Sequence, residues 1–203
     1  MINFEVTKTQ HDSLERHKEM VLETNKYMNL TSITDPAEFD VKHIADSMAL
    51  LPYIPPGATL GDVGSGAGFP GVVLGIMRDD IEITLIDSLR KRVIFLEEVV
   101  RELGLANVWA IHARAEDLAR GSVQFDVCTA RAVASMDKLA KWVLPIVKPG
   151  GLFLAMKGPA PEEELEKAKP IIAKKGGAVE KVDMVEIAQG ITHSVVVIRK
   201  KFM

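Results

Sequence analysis

Thr59-Leu60-Gly61-Asp62-Val63-Gly64-Ser65-Gly66-Ala67-Gly68-Phe69-Pro70-Gly71 constrains the fold of this chain more than any other stretch. An apolar strand runs into three alternating glycines, and a proline and a glycine open the helix behind them. Glycines at 64, 66 and 68 let the backbone bend sharply and approach a ligand closely, as the first turn of a nucleotide-binding α/β fold does.

Charge narrows the ligand. A helix N-terminus that receives a pyrophosphate is ill served by a carboxylate at the strand tip, where Asp62 stands. S-adenosylmethionine carries no phosphate and presents an ammonium that a carboxylate or loop carbonyls accept. A second acid agrees: Ile83-Thr84-Leu85-Ile86-Asp87 reads as the next strand, ending about 20 residues past the glycines, the position of a carboxylate on ribose hydroxyls. These residues favour S-adenosylmethionine, with NAD(P) and a ligand-free structural turn as alternatives.

The chain of 203 residues, 47% hydrophobic and 26% charged, supports one buried core with a small appendage. It has one cysteine and no apolar run of membrane-spanning length, and Met1-Ile2-Asn3-Phe4-Glu5 lacks the plan of a signal peptide. The expectation is a soluble, cytoplasmic protein with no membrane partner.

Helical periodicity runs from Gln10 to Met28 and from Pro36 to Leu51, and the cluster Pro52, Pro55, Pro56, Gly57 then breaks it. A boundary near residue 55 divides an N-terminal helical extension, 1–55, from a nucleotide-binding domain, 56–203, the two packed as one unit. Beyond it the pattern predicts strands at 59–63, 82–87, 107–112, 125–130 and 151–156. Helices are predicted from 70, at 89–103, 135–147 and 161–175. Such alternation builds a mostly parallel sheet covered on both faces. Two final strand-like runs, Ala178–Ile187 and Ile191–Arg199, predict a closing antiparallel hairpin. The fold class is therefore α/β, a mostly parallel Rossmann-like sheet preceded by two helices, and its closing hairpin resembles the class I methyltransferase plan.

Other candidates fall at strand ends, where open α/β sheets hold ligands. Arg114-Ala115-Glu116-Asp117 follows the third strand and offers Ala115 and Glu116 to an adenine. Arg131 follows the fourth strand, with an ordinary ion pair as its alternative, and Lys157 follows the fifth. His43 either lines a substrate entrance or is a buried hydrogen-bonded histidine. Cys128 lies inside an apolar run and reads as core. His11, His17, His112 and His193 show no metal-ligand spacing, so no metal is expected.

Asn29-Leu30-Thr31, Lys42-His43-Ile44-Ala45-Asp46-Ser47, Asp62–Gly71, Asp87-Ser88-Leu89-Arg90-Lys91-Arg92, Arg114-Ala115-Glu116, Ala130-Arg131-Ala132 and Lys157-Gly158 occur in the order typical of one family. From about Tyr27 to Arg199 the chain resembles the ribosomal RNA small-subunit methyltransferase G family, also called GidB. The resemblance implies methyl transfer from S-adenosylmethionine to N7 of one guanine in 16S ribosomal RNA. It also implies cofactor contacts at Gly64, Phe69, Ala115, Glu116 and Arg131. With Asp62, Ser65, Gly66 and Asp87 from the strand reading, these make up the expected cofactor site. Gly61 departs from the family's usual β-branched residue and predicts a slightly weakened strand.

Guanine N7 has a lone pair and no proton to lose, so the reaction needs positioning rather than a base or nucleophile. The catalytic residue is therefore unassigned, with Arg131, Lys157 and His43 as candidates for placing the substrate. The resemblance implies 16S ribosomal RNA as partner, expected within a small-subunit particle, with free RNA, an assembling particle and the finished subunit left open. A net charge of −3 disfavours strong nonspecific attachment to naked RNA. Arg90-Lys91-Arg92, Lys138 and Lys141 are local basic exceptions. A monomer is expected. The alternatives are a small-molecule methyltransferase, which would want an insertion after the fifth strand, and a noncatalytic nucleotide-binding regulator.

Overall fold

The computed structural model describes residues 5–202; Met1–Phe4, read above for targeting signals, and Met203 lie outside them. Thr7 and Gln10 start helix α1 (Lys8–Met28) with reciprocal side-chain-to-backbone hydrogen bonds, and Asn29 ends it in the left-handed region at φ 51°. Asn25 Oδ1 then accepts the Leu30 and Thr31 N–H groups, turning the chain into a linker. Asp35 caps α2 (Pro36–Phe39), with Pro36 at its first position.

The second predicted helix is present but not regular. After α2 the chain makes a wide π-helical turn, Asp40–Ala45, before α3 (Asp46–Met48). Phe39 and Ile44, five residues apart, are both buried, a spacing that a regular helix would direct to different sides.

Beyond this point the chain alternates β1 (Thr59–Val63), α4 (Gly71–Met77), β2 (Glu82–Asp87), α5 (Arg90–Glu102) and β3 (Val108–His112). A short α6 (Ala115–Leu118), absent from the sequence prediction, precedes β4 (Phe125–Arg131) and α7 (Met136–Val143). Then come β5 (Val147–Lys157), α8 (Glu162–Lys174), β6 (Gly177–Ala188) and β7 (Ile191–Lys200). Helix α7 stops earlier than predicted because Pro145 cannot continue its hydrogen-bond ladder, and β5 starts correspondingly sooner.

The seven strands lie in the order β3-β2-β1-β4-β5-β7-β6. The first five are parallel, and β7 runs antiparallel to both its neighbours, as the hairpin pattern predicted. Alternating side chains divide the core between the two faces. Leu60, Leu85 and Leu154 pack with residues of α1, α4 and α5, while Val63, Ile86 and Phe153 pack with α7 and α8. Phe39, Ile44 and Met48 join the first of these clusters, so the N-terminal helices share the core of the sheet.

Gly61 has a packing reason. A Cβ there would lie 2.7 Å from Cδ2 of Phe125, so the strand gives up a side chain to seat that ring. Gly71 and Gly75 bring α4 close in the same way, since Cβ atoms at these positions would meet Leu85 Cδ2 at 2.2 Å and Val108 Cγ2 at 2.4 Å. Strand order reverses between β1 and β4, and open α/β sheets hold ligands at the carboxyl ends of such a pair.

Candidate active site

At that switch point the chain leaves β1 through Gly64, Gly66 and Gly68, all at positive φ (75°, 57° and 98°). The turn is held from below. The Gly64 and Ser65 N–H groups donate to the Ile86 carbonyl at 2.7 and 3.2 Å, and the Ser65 hydroxyl donates to the Asp62 carbonyl at 2.9 Å.

Asp62 was expected to meet the cofactor's ammonium, but the structure sets it beneath the turn, fully buried. Its Oδ2 accepts the Gly71 N–H at 3.0 Å and its Oδ1 accepts the Thr129 hydroxyl at 3.1 Å. Burial pushes its pKa up to about 6 against these bonds. The reason is strand alternation: Asp62 lies on the same face as Leu60, toward α4, so its carboxylate fastens the loop to that helix and to β4.

Asp87, expected at ribose hydroxyls, is also buried. Its Oδ2 accepts the Gly66 N–H at 3.0 Å, its Oδ1 accepts the Leu89 N–H at 2.9 Å, and Arg92 Nη1 stands 3.7 Å away. It thus fixes the glycine turn against the start of α5.

A cleft of about 550 Å³ opens above the turn, within the range of small-ligand sites. It brings together Gly64, Ser65, Gly66, Phe69, Arg131, Lys157 and His43, with Thr31, Asp46 and His193 beside them. Ala115 and Glu116 lie outside this lining, Ala115 buried at the start of α6 and Glu116 half-buried.

Phe69 is the centre of an aromatic cluster. The His43 ring stacks on it at 4.5 Å and 9°, His17 lies 4.8 Å away, Phe39 meets it edge-on at 5.5 Å, and the Arg131 guanidinium lies 5.2 Å from its centroid. His17 is completely buried on α1 with Nε2 2.9 Å from the Ala67 carbonyl, and burial pushes its pKa down to about 4. A neutral His17 therefore donates Nε2–H to the glycine turn.

Arg131 leaves the end of β4 and reaches the π-helical turn. Its Nη1 donates to the Lys42 carbonyl at 2.7 Å and to Asp46 Oδ2 at 3.2 Å, and its Nη2 donates to His43 Nδ1 at 2.9 Å. Because Nδ1 accepts, the His43 proton resides on Nε2, 2.8 Å from the Thr31 hydroxyl oxygen. Burial, reinforced by the Arg131 charge, pushes the His43 pKa down to about 4. His43 is thus buried and hydrogen-bonded, and it also lies on the cleft wall.

Lys157 lines the cleft, but its ammonium donates to the Ala134 carbonyl at 2.9 Å and to Glu164 Oε1 at 2.8 Å. Placed at a strand end, it pins the loop after β4, and its charge is already matched. Cys128 is buried in the sheet, where burial raises its thiol pKa well beyond the ordinary range. Among the described residues no three His, Cys, Asp or Glu side chains gather as a metal site, and no helix is long and apolar enough to cross a membrane.

Residues 10–194 match the family model described as rRNA small subunit methyltransferase G. This chain belongs to that family. Ribosomal RNA small subunit methyltransferase G of Clostridium botulinum (strain Eklund 17B / Type B) is 43% identical over 205 residues, spanning 98% of this chain and 86% of the relative. The enzyme of that name from Desulfitobacterium hafniense (strain Y51) is 38% identical over 203 residues, spanning 98% and 84%. Among solved structures, a methyltransferase from Pyrococcus furiosus superposes with a TM-score of 0.64 at 13% identity, covering 97% of this chain and all of that one. TrmN from Thermus thermophilus gives 0.59 at 21%, covering 77% and 48%. At these identities the structures establish the fold, a class I methyltransferase sheet.

Family membership gives the residues missed by the sequence reading a setting. Asp46 lies in the motif Lys42–Ser47, but its contact with His193, 147 residues away, and their joint network with Arg131 carry no local signal. His17 did carry one: with Leu14 and Val21 it occupies the apolar stripe of α1, where a histidine must be buried and hydrogen-bonded.

Proposed function

We propose that this chain transfers the methyl group of S-adenosylmethionine to N7 of one guanine in the 16S RNA of the small ribosomal subunit. The observation that carries the reading is the cleft at the β1/β4 switch point, floored by bare glycine backbone, in a chain of the small-subunit methyltransferase G family. The residues suit the cofactor: Gly66 presents bare backbone with open space beside it, Gly64 packs its backbone against Val133 where a Cβ would lie 2.5 Å from Cγ2, and Phe69 and Arg131 form an adjoining wall. When bound, S-adenosylmethionine supplies an electrophilic methyl group on a positively charged sulfur.

The protein's part is to position. Guanine N7 attacks with its own lone pair, in line, without a covalent intermediate, so no side chain has to take up a proton. The titratable groups on the cleft wall are already engaged: the His43 lone pair by Arg131, the Lys157 ammonium by Glu164, and the Asp46 carboxylate by Arg131 and His193. Arg131 meets O6 or a phosphate rather than N7, because a bidentate arginine on the guanine edge would cover the reacting atom. Exposed Arg90 and Lys91 at the start of α5, and Lys138 and Lys141 on α7, supply local phosphate contacts on an otherwise acidic chain.

The test is transfer of labelled methyl to small subunits and to stripped 16S RNA, both from cells lacking this protein, followed by nucleoside analysis. The reading requires 7-methylguanosine on at least one of them. Label on another base, or none with the cofactor still bound, refutes it.

A further inference from the structure

Arg131 is held by more of the protein than a surface ion pair would need. Its guanidinium has five N–H donors, and among the described residues three are taken: two by the Lys42 carbonyl and Asp46 Oδ2, one by His43 Nδ1. All three partners belong to the π-helical turn and the residue after it. What remains, the Nε–H and one Nη2 hydrogen, is what Arg131 can offer to the contents of the cleft.

The Asp46 carboxylate is buried, so one cation on one oxygen would leave its other oxygen poorly compensated. His193 supplies the second partner: its Nδ1 lies 2.8 Å from Asp46 Oδ1. His193 is near the start of β7, next to Ser194, which pairs with Lys157 at the carboxyl end of β5. The imidazole thus reaches Asp46 from β7, which β5 separates from the β4 end that carries Arg131, and Asp46 bridges the two through its two oxygens. The Asp46 carboxylate also holds the His193 pKa above its ordinary value.

We propose that Asp46 and His193 are positioning residues for Arg131: the His193–Asp46 pair fixes the plane of the Arg131 guanidinium, and with it the direction of the two N–H groups it presents to cofactor or base. This rests on the function proposed above. The fit is tight because each group has one available role. His43 is committed to Arg131 through Nδ1 and to Thr31 through Nε2, and the Lys42 carbonyl fixes only one end of Nη1. Removing the carboxylate leaves the guanidinium on the Lys42 carbonyl and His43 Nδ1 alone, and removing the imidazole leaves Asp46 Oδ1 without its partner, so the guanidinium loses one of three anchors or the group that orients it. A displacement of about 1 Å in a reacting arrangement costs on the order of a hundredfold in rate.

The experiment compares His193→Leu, His193→Gln and Asp46→Asn with the wild-type protein. Four quantities are measured: the affinity for S-adenosylhomocysteine by calorimetry, kcat and KM for methylation of small subunits, and the thermal unfolding midpoint. His193→Leu and Asp46→Asn are expected to lower cofactor-product affinity or kcat by roughly ten- to a hundredfold with the midpoint held. His193→Gln keeps an N–H within reach of Asp46 and is expected to recover most of the loss. Unchanged affinity and kcat in His193→Leu would overturn the proposal. So would equal losses in the Leu and Gln variants accompanied by a lowered midpoint, which would make the pair merely structural. If the wild-type protein forms no 7-methylguanosine, the functional reading falls, while the calorimetric series still decides whether the pair positions Arg131.

Discussion

Acidification loosens α1 from the floor of the cleft, and the size of the effect follows from His17. The imidazole is completely buried, donates Nε2–H to Ala67, and has its pKa lowered from 6.5 to about 4 by burial. In the unfolded chain it titrates near 6.5, so between pH 6.5 and 4 the unfolded state binds the extra proton and stability falls as pH falls. Integrated from pH 7.5 to 4.5, this one group removes about 2.5 kcal/mol. His43, also near 4, acts in the same direction, whereas Asp62, raised to about 6, acts oppositely: its folded-state protonation stabilises the protein increasingly as pH falls from 6 toward 3.8. Comparing the wild-type protein with His17→Leu cancels both. At pH 7.5 the variant leaves the Ala67 carbonyl without its donor and is expected to be less stable by ~1–3 kcal/mol. Urea unfolding at intervals of half a pH unit should then show the gap narrowing by about 2.5 kcal/mol by pH 4.5. A gap constant across that range would mean that His17 is not held neutral, and the argument would fail.

Three further outcomes are expected. Gly61→Val drives a methyl-bearing carbon into the Phe125 ring, so it lowers stability by ~1–3 kcal/mol in denaturant titration; an unchanged midpoint would show that the ring has room to move. Asp87→Ala strips the Gly66 and Leu89 N–H groups of their acceptor, and calorimetry should show cofactor binding weakened by roughly 1–3 kcal/mol. Full affinity would mean that the glycine turn holds its shape unaided. The Cys128 thiol should not react with an aromatic disulfide reagent in the native protein and should react fully in urea; rapid native labelling would contradict its burial.

How much of this was legible in the sequence depended on whether the signal was local. The glycine turn, the alternation of strands and helices and the closing hairpin were legible because turn chemistry and periodicity reside in neighbouring residues. Asp62 sat where expected along the chain, but its sign and position said nothing of which face of β1 it occupied; Leu60 two residues earlier was the clue. Lys157 was correctly placed at a strand end, yet Glu164 and Ala134, which absorb its charge, come from other segments. The π-helical stretch in the second helix matches the five-residue step from Phe39 to Ile44. No local pattern joins Asp46, Arg131 and His193, since only the assembled sheet and the helical segment across the cleft bring them together.

The antiparallel last strand turns the chain's geography around. Lys157, where β5 arrives at the cleft, pairs with Ser194 near the start of β7, whereas Leu152 pairs with Arg199 near its end. The parallel strands deliver their final residues to the site; β7 delivers its first and then runs away from it. The tight turn at Gln189 and Gly190 therefore lies at the cleft end of the sheet, shortly before His193. The chain leaves β7 at Lys200 beside Gly177, where β6 begins, at the end of the sheet away from the cleft.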